Sequence, residues 1–207
     1  MKWSLETLRD TKNASEMKEM VKEHLSCMDE GIGRLNSIID TLQQAEKVDL
    51  NKIEYLPTMS SLKNLLENAV REWQWSAEKQ NQKIVIAMDK DMTFRFDHNM
   101  VSLVLRQLVQ NATEYSPNGS TITVRAVPNK KMMTISVEDQ GYGIPKDDIE
   151  KLFEKYHRAS NAPMHKPDGN GLGLYIAKGI VERAGGQIWV ESVEGKGTKV
   201  FFTLPIL

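Results

Sequence analysis

The chain has 207 residues, a net charge of −1, 40% apolar and 27% charged residues. That is ordinary soluble globular usage, enough for one medium domain plus a small helical one, and it excludes a disordered chain and a strongly basic nucleic-acid binder. With Cys27 as its one cysteine it forms no intrachain disulfide, which fits a reducing cytoplasm, and no apolar run or leader predicts contact with a membrane.

In chain order, residues 1–23 contain neither histidine nor proline. From a cap at Asn13 to Glu16 the pattern turns helical. Val21, Leu25, Met28, Ile32, Leu35, Ile39 and Leu42 then alternate steps of four and three, a heptad seam that predicts one long helix seeking a partner, although Gly31 and Gly33 weaken its middle. The first organisational break falls at Val48 to Asn51.

Beyond the break the periodicity predicts a helix over 62–80, a strand over 84–88, a helix over 99–115, and strands over 122–127 and 132–138 joined by a short turn. A helix over 146–153, a long loop, a helix over 173–184 and strands over 187–192 and 199–203 complete the chain. This alternation predicts an α/β fold, a two-layer α/β sandwich with a mixed sheet and helices on one face, preceded by a bundle or coiled-coil helix.

Two glycine-rich runs carry the chemistry: Asp139-Gln140-Gly141-Tyr142-Gly143 and, about thirty residues on, Gly169-Asn170-Gly171-Leu172-Gly173-Leu174. Glycine suits places where the backbone takes positive φ or a ligand comes close, and the second run reads as a phosphate-facing loop entering a helix. The spacings exclude other nucleotide folds. Neither run continues into the Lys-Ser or Lys-Thr of a P-loop, a dinucleotide fingerprint would need glycine at Lys146 or Leu174, and the protein-kinase His-Arg-Asp and Asp-Phe-Gly motifs do not occur.

From about Leu50 onward the sequence resembles the catalytic and ATP-binding domain of sensor histidine kinases, part of the Bergerat-fold ATPases. Gln107 to Pro117, including Asn111-Ala112-Thr113-Glu114-Tyr115, looks like the N box, and Asp139 to Pro145 like the G1 box. Phe153 to Arg158 looks like the F box, and Gly169 to Leu174 like the G2 box. Gly185-Gly186, Gly195 to Thr198 and Phe201 to Pro205 match the way such domains close. The resemblance divides the chain into 1–48, a partial or altered dimerisation and phosphotransfer segment, and 49–207, the catalytic and ATP-binding domain. The histidine-bearing first helix of the family hairpin has no counterpart in residues 1–23, so the 13-residue segment up to Asn13 reads as a truncated or altered first helix.

The resemblance implies Mg-ATP as ligand. Asp139 matches the adenine-reading residue and Thr198 a residue sharing a water with the base, while Gly141, Gly143, Gly169, Gly171, Gly173 and Leu174 shape the loops. Asn111 matches the magnesium ligand, fitting a cation that takes one or two protein oxygens beside phosphates. Gln107 stands where a second Asn is frequent. Tyr115 is placed to lay its ring on the base or to serve as core. Arg158 matches the F-box arginine and, with Lys166 in a lid over 154–170, is a cation for the γ-phosphate. Glu114 replaces a frequent lysine and is expected to face solvent, since a carboxylate would repel the triphosphate. His24 lacks the motif's carboxylate and proline, His98 sits beside a cap, and His157 and His165 are too isolated for a zinc site.

The implied function is a protein-histidine kinase acting with a response-regulator receiver domain and dimeric through the N-terminal helix, with this chain alone unable to autophosphorylate. The alternative is a non-catalytic regulatory nucleotide-binding module. A hydrolysing ATPase of the same fold would want a glutamate at Gln107.

Overall fold

The computed structural model describes residues 14–88 and 90–206. The expectations of an altered first helix in residues 1–13 and of a cap at Asn13 lie outside them. The chain divides into two compact units, Met1–Gln44 and Ala45–Leu207.

Helix α1 (Ala14–Asp49) runs through the first unit. Its seam is uncovered: Leu25, Ile32 and Leu35 are 56%, 54% and 62% exposed, which is a high price in ordered water for aliphatic side chains. His24 hydrogen bonds within the helix, its Nδ1 lying 2.7 Å from the carbonyl of Met20.

The second unit begins with the last turn of α1. Ala45 is buried, and Asp49 accepts 2.5 Å hydrogen bonds from Lys155 Nζ and Tyr175 OH. Those two donors, Lys155 first, hold the Asp49 carboxyl below the usual carboxylate range. Val48 lies against Gly179, where a Cβ would stand 2.5 Å from its methyl.

Next come β1 (Thr58–Ser61), α2 (Leu62–Lys79), β2 (Lys83–Ala87), β3 (Thr93–Phe96) and α3 (His98–Glu114). They are followed by β4 (Thr121–Asn129), β5 (Met132–Glu138), a 3-10 helix over Lys146–Lys151, α4 (Ala162–His165), α5 (Gly173–Arg183), β6 (Ile188–Val193) and β7 (Gly197–Pro205). Caps fix the starts of the two long helices. Ser61 accepts from Asn64 N–H at the head of α2, and Asp97 accepts from Asn99 and Met100 N–H at the head of α3. Each helix then turns an apolar stripe inward, Leu62, Leu65, Leu66 and Ala69 on α2, and Val101, Val104, Leu105 and Leu108 on α3.

The main sheet has strand order β2-β4-β5-β7-β6, with β2 parallel to β4 and the other pairs antiparallel. One row, Ile86, Val124, Val137, Val200 and Val190, crosses all five strands, and Ala126, Ile135, Phe202 and Ile188 form a second across four. Such β-branched and aromatic rows suit a pleated surface, and α2, α3 and α5 cover them. The two-layer α/β sandwich with a mixed sheet is therefore the observed architecture.

Three local features depart from the sequence reading. β1 and β3 form a separate antiparallel pair in register Thr58 to Phe96, which buries Phe94 and Phe96 with ring centroids 4.9 Å apart. The expected helix over 146–153 is a 3-10 helix ending at Lys151. So short a segment cannot recover α-helical nucleation, and Ser160 N–H and Oγ pull on Asp148 from outside it. The expected loop contains the one-turn helix α4.

Candidate functional site

Strand β5 delivers Asp139 to the end of the sheet, where Asp139 N–H donates to the carbonyl of Thr198 at the start of β7 (2.8 Å). Its side chain is held by one oxygen only. Oδ1 accepts from Gly141 N–H at 2.8 Å and Thr198 N–H at 3.0 Å, while Oδ2 has no protein partner among the described residues. Burial pushes this carboxyl up to about 6, with the two amides pulling it down and Glu138 pushing it further up.

The glycines around Asp139 mark backbone-to-backbone contacts. A Cβ at Gly141 would lie 2.2 Å from the carbonyl oxygen of Tyr115, and one at Gly143, whose φ is +65°, would lie 2.1 Å from that of Val193. The first glycine run is thus pressed between the end of α3 and the β6–β7 hairpin. Ser192 Oγ accepts from Ile144 N–H (2.9 Å), lies 2.9 Å from the Gly197 carbonyl and 2.9 Å from Thr198 Oγ1. Ser192 has a single proton; when it goes to Gly197, Thr198 donates to Ser192 and presents lone pairs outward.

Helix α3 turns its apolar stripe inward, so Gln107, Asn111 and Glu114, spaced by four and three, share another face. The Asn111 carboxamide makes no hydrogen bond among the described residues. Gln107 Oε1 meets the head of α5, where a Cβ at Gly173 would lie 2.6 Å from it. Tyr115, at the end of α3, packs with Ile144, Phe153 and Leu174 against the buried cluster of Leu152, Ala159 and Ala162. The structure thus places this ring in a small satellite core.

The lid folds down onto these elements. Gly171, with φ +68°, lies against the backbone of Tyr156 and His157; His165 stacks on Tyr142 at 3.5 Å; and Asn161 Nδ2 donates to the Gly143 carbonyl at 3.0 Å. Arg158 does not stand free for a phosphate. Its guanidinium donates to the carbonyls of Lys166 and Pro167 and lines Gly169, while its Nε is buried without a partner. Glu114 is also placed otherwise than expected. Instead of facing solvent, its Oε1 accepts from Lys166 Nζ at 2.8 Å and from Gln110 Nε2 at 3.0 Å. Neither engagement was legible in sequence, since each depends on where the lid folds.

Within this geometry the first glycine run, the Asn111 face and the second glycine run surround one end of the sheet. Residues 96–207 match the family described as histidine kinase-, DNA gyrase B-, and HSP90-like ATPases. The chain belongs to that family.

Among individual relatives, the sensor histidine kinase WalK of Bacillus subtilis (strain 168) is 32% identical over 207 residues, spanning 99% of this chain and 34% of WalK. A WalK sensor protein kinase of Staphylococcus aureus is 31% identical over 190 residues, 91% of this chain and 46% of that protein. The chain thus spans between a third and a half of these curated relatives. Among solved structures, the catalytic domain of the histidine kinase ThkA is 28% identical with a TM-score of 0.64, over 74% of this chain and 97% of that one. Full-length ShkA in complex with AMPPNP has a TM-score of 0.79 at 21% identity, over 96% of this chain and 41% of that one, a likeness of fold. As a member of these ATPases the chain carries its family match over the whole of α3, both glycine runs and the closing hairpin. No helix among the described residues is long and apolar enough to cross a membrane.

Proposed function

We propose that the chain is the ATP-binding catalytic region of a sensor histidine kinase in a two-component system. It transfers the γ-phosphoryl of Mg-ATP to a histidine not evident among its own residues. The observation that carries this reading is the half-satisfied carboxylate of Asp139, one oxygen locked by two amides and the other without a protein partner among the described residues, beside glycines that pack the loop tightly against the end of α3 and the β6–β7 hairpin. Oδ2 accepts the exocyclic amine of adenine, and Thr198 offers its hydroxyl lone pairs to the same edge. Gly141 and Gly143 bring backbone close to the ring, and Gly169, Gly171 and Gly173 do so at the phosphate end, where Leu174 supports the turn into α5.

Asn111 is the metal residue. Its unpaired carboxamide oxygen suits Mg²⁺, which takes few protein oxygens beside phosphates. The described residues contain no cluster of three or more acidic, histidine or cysteine ligands that would favour another ion. When bound, Mg²⁺ neutralises charge on the triphosphate and orients it. Arg158 serves the γ-phosphate end through the lid, whose Lys166 and Pro167 carbonyls its guanidinium holds. Positioning and charge neutralisation are the whole of this domain's contribution to transfer, because the nucleophile comes from elsewhere.

Incubation with γ-labelled Mg-ATP tests the reading. Label is expected on a separately supplied phosphoacceptor hairpin, acid-labile and alkali-stable, and none on this chain alone. His24 is followed by Leu25 where the motif has a carboxylate, and its Nδ1 lies 2.7 Å from the Met20 carbonyl. Label on this chain that disappears in His24→Gln would make His24 the acceptor. The engagement of both Arg158 and Lys166 by protein groups favours a second reading, a regulatory nucleotide-binding module; ATP binding with no label on any acceptor is its signature.

The exposed seam on α1 supports dimerisation with a second copy, the response-regulator receiver domain would take the phosphoryl group onward, and the compartment is the cytoplasm. Sedimentation is expected to show a concentration-dependent monomer–dimer equilibrium, weakened by Ile32→Glu. A strict monomer at high concentration would contradict the pairing.

A further inference from the structure

Glu114 is a carboxylate three residues beyond Asn111, on the face of α3 that the nucleotide reading turns toward the phosphates. Left alone it would repel a triphosphate. It is not alone: Lys166, 52 positions later in the lid, brings its ammonium to 2.8 Å from Glu114 Oε1. Both side chains are partly buried, 21% exposed for Glu114 and 37% for Lys166.

Both ends of the pair are braced. On α3, Gln110 Nε2 donates to the same Glu114 oxygen at 3.0 Å, fixing its rotamer from one turn back. In the lid, Arg158 holds the carbonyls of Lys166 and Pro167, and His165, the preceding residue, stacks on Tyr142 of the first glycine run. Lys166 is therefore set by its backbone as well as by its ion partner. An ammonium has three N–H donors, and the bond to Glu114 uses one.

We propose that Glu114 is a positioning residue for the nucleotide reaction: it holds Lys166 of the lid over the phosphate end of the site, with the two remaining N–H groups available to phosphate oxygens. This rests on the nucleotide reading and adds to it. A cation is supplied across the lid where the helix itself carries an anion, and closure of the lid and recognition of the triphosphate become one event. The alternative consequence of the same residues is simple repulsion by Glu114, and the two have opposite signs.

Calorimetric titration of the whole chain with Mg-ATP and with adenosine separates them, using the ratio of the two affinities as readout because a loss of fold would lower both. Lys166→Gln is expected to lower that ratio by about tenfold, since it removes a charged donor and leaves Glu114 uncompensated. Glu114→Ala is expected to lower it several-fold, although removing a like charge alone would raise it. Lys166→Arg, which keeps a charged donor in the lid, is expected to retain most of the ratio. A ratio that rises in Glu114→Ala, or stays unchanged in Lys166→Gln, would overturn the proposal while leaving the nucleotide reading intact. Failure of the unaltered chain to bind adenosine or Mg-ATP would remove that reading and this proposal with it.

Discussion

Asp139→Asn is expected to weaken Mg-ATP by about 1.5–3 kcal/mol, the usual worth of a hydrogen bond to a charged group, while making the protein more stable at neutral pH. The binding loss follows from the locked oxygen. Oδ1 already accepts from Gly141 and Thr198 N–H, so an Asn must place its carbonyl there and turn its NH₂ outward. That amide then meets the adenine amine donor to donor.

The stability gain comes from the same burial. Asp139 titrates at about 6 in the folded chain against 3.8 for its ordinary value. Because the folded value is raised, the stability linked to this group is fully present below about 3.8 and is lost as pH rises through about 6. At pH 7 the ionised, desolvated carboxylate costs on the order of 3 kcal/mol, discounted by whatever solvent reaches it. Asn escapes that cost. Urea denaturation at pH 4 and pH 7 is expected to show the variant's advantage at pH 7 alone, and ATP affinity of the unaltered protein is expected to fall as pH drops through 6. An unchanged ATP affinity in the variant would take Asp139 out of the site; an equal stability difference at both pH values would take away the titration argument.

How much of this was legible in sequence depended on the distance over which each feature is determined. The five strands of the main sheet and the three helices covering it announce themselves by period and by the turns between them, so their existence was readable. β1 and β3 were not: each is four residues long, and Thr58-Met59-Ser60-Ser61 is exposed or half-buried along its length. Its identity as a strand comes from pairing with Thr93–Phe96 more than 30 residues later. The site divides in the same way. Asp139 and its glycines are a local motif whose geometry follows from the chain's own turns. The contacts of Glu114 and Arg158 are settled by the lid, and nothing in the spacing from Glu114 to Lys166 predicts that the two meet.

The glycine at the centre of that local motif gives the second large effect. Gly141→Ala is expected to reduce ATP affinity by about a hundredfold or more and to destabilise the fold by about 1–3 kcal/mol, the range for overpacking a closely fitted site. Backbone conformation is not the cause, since Gly141 is absent from the residues of positive φ. The cause is space. An added methyl would stand 2.2 Å from the Tyr115 carbonyl oxygen and 2.8 Å from Asp139 Oδ1. Neither neighbour gives way cheaply: the first is backbone, tied by Tyr142 N–H at 3.1 Å, and the second is the oxygen held by two amides. The loop must therefore move off the end of α3, carrying Gly141 N–H away from Asp139 and freeing the carboxylate to turn. The adenine acceptor loses its fixed direction as well as its neighbouring surface. Gly31→Ala is the matched control, because a methyl there meets nothing within 4 Å and favours the helix. Gly141→Ala protein that melts normally and binds ATP as tightly as the Gly31→Ala control would show that the first glycine run does not form the floor of the nucleotide site.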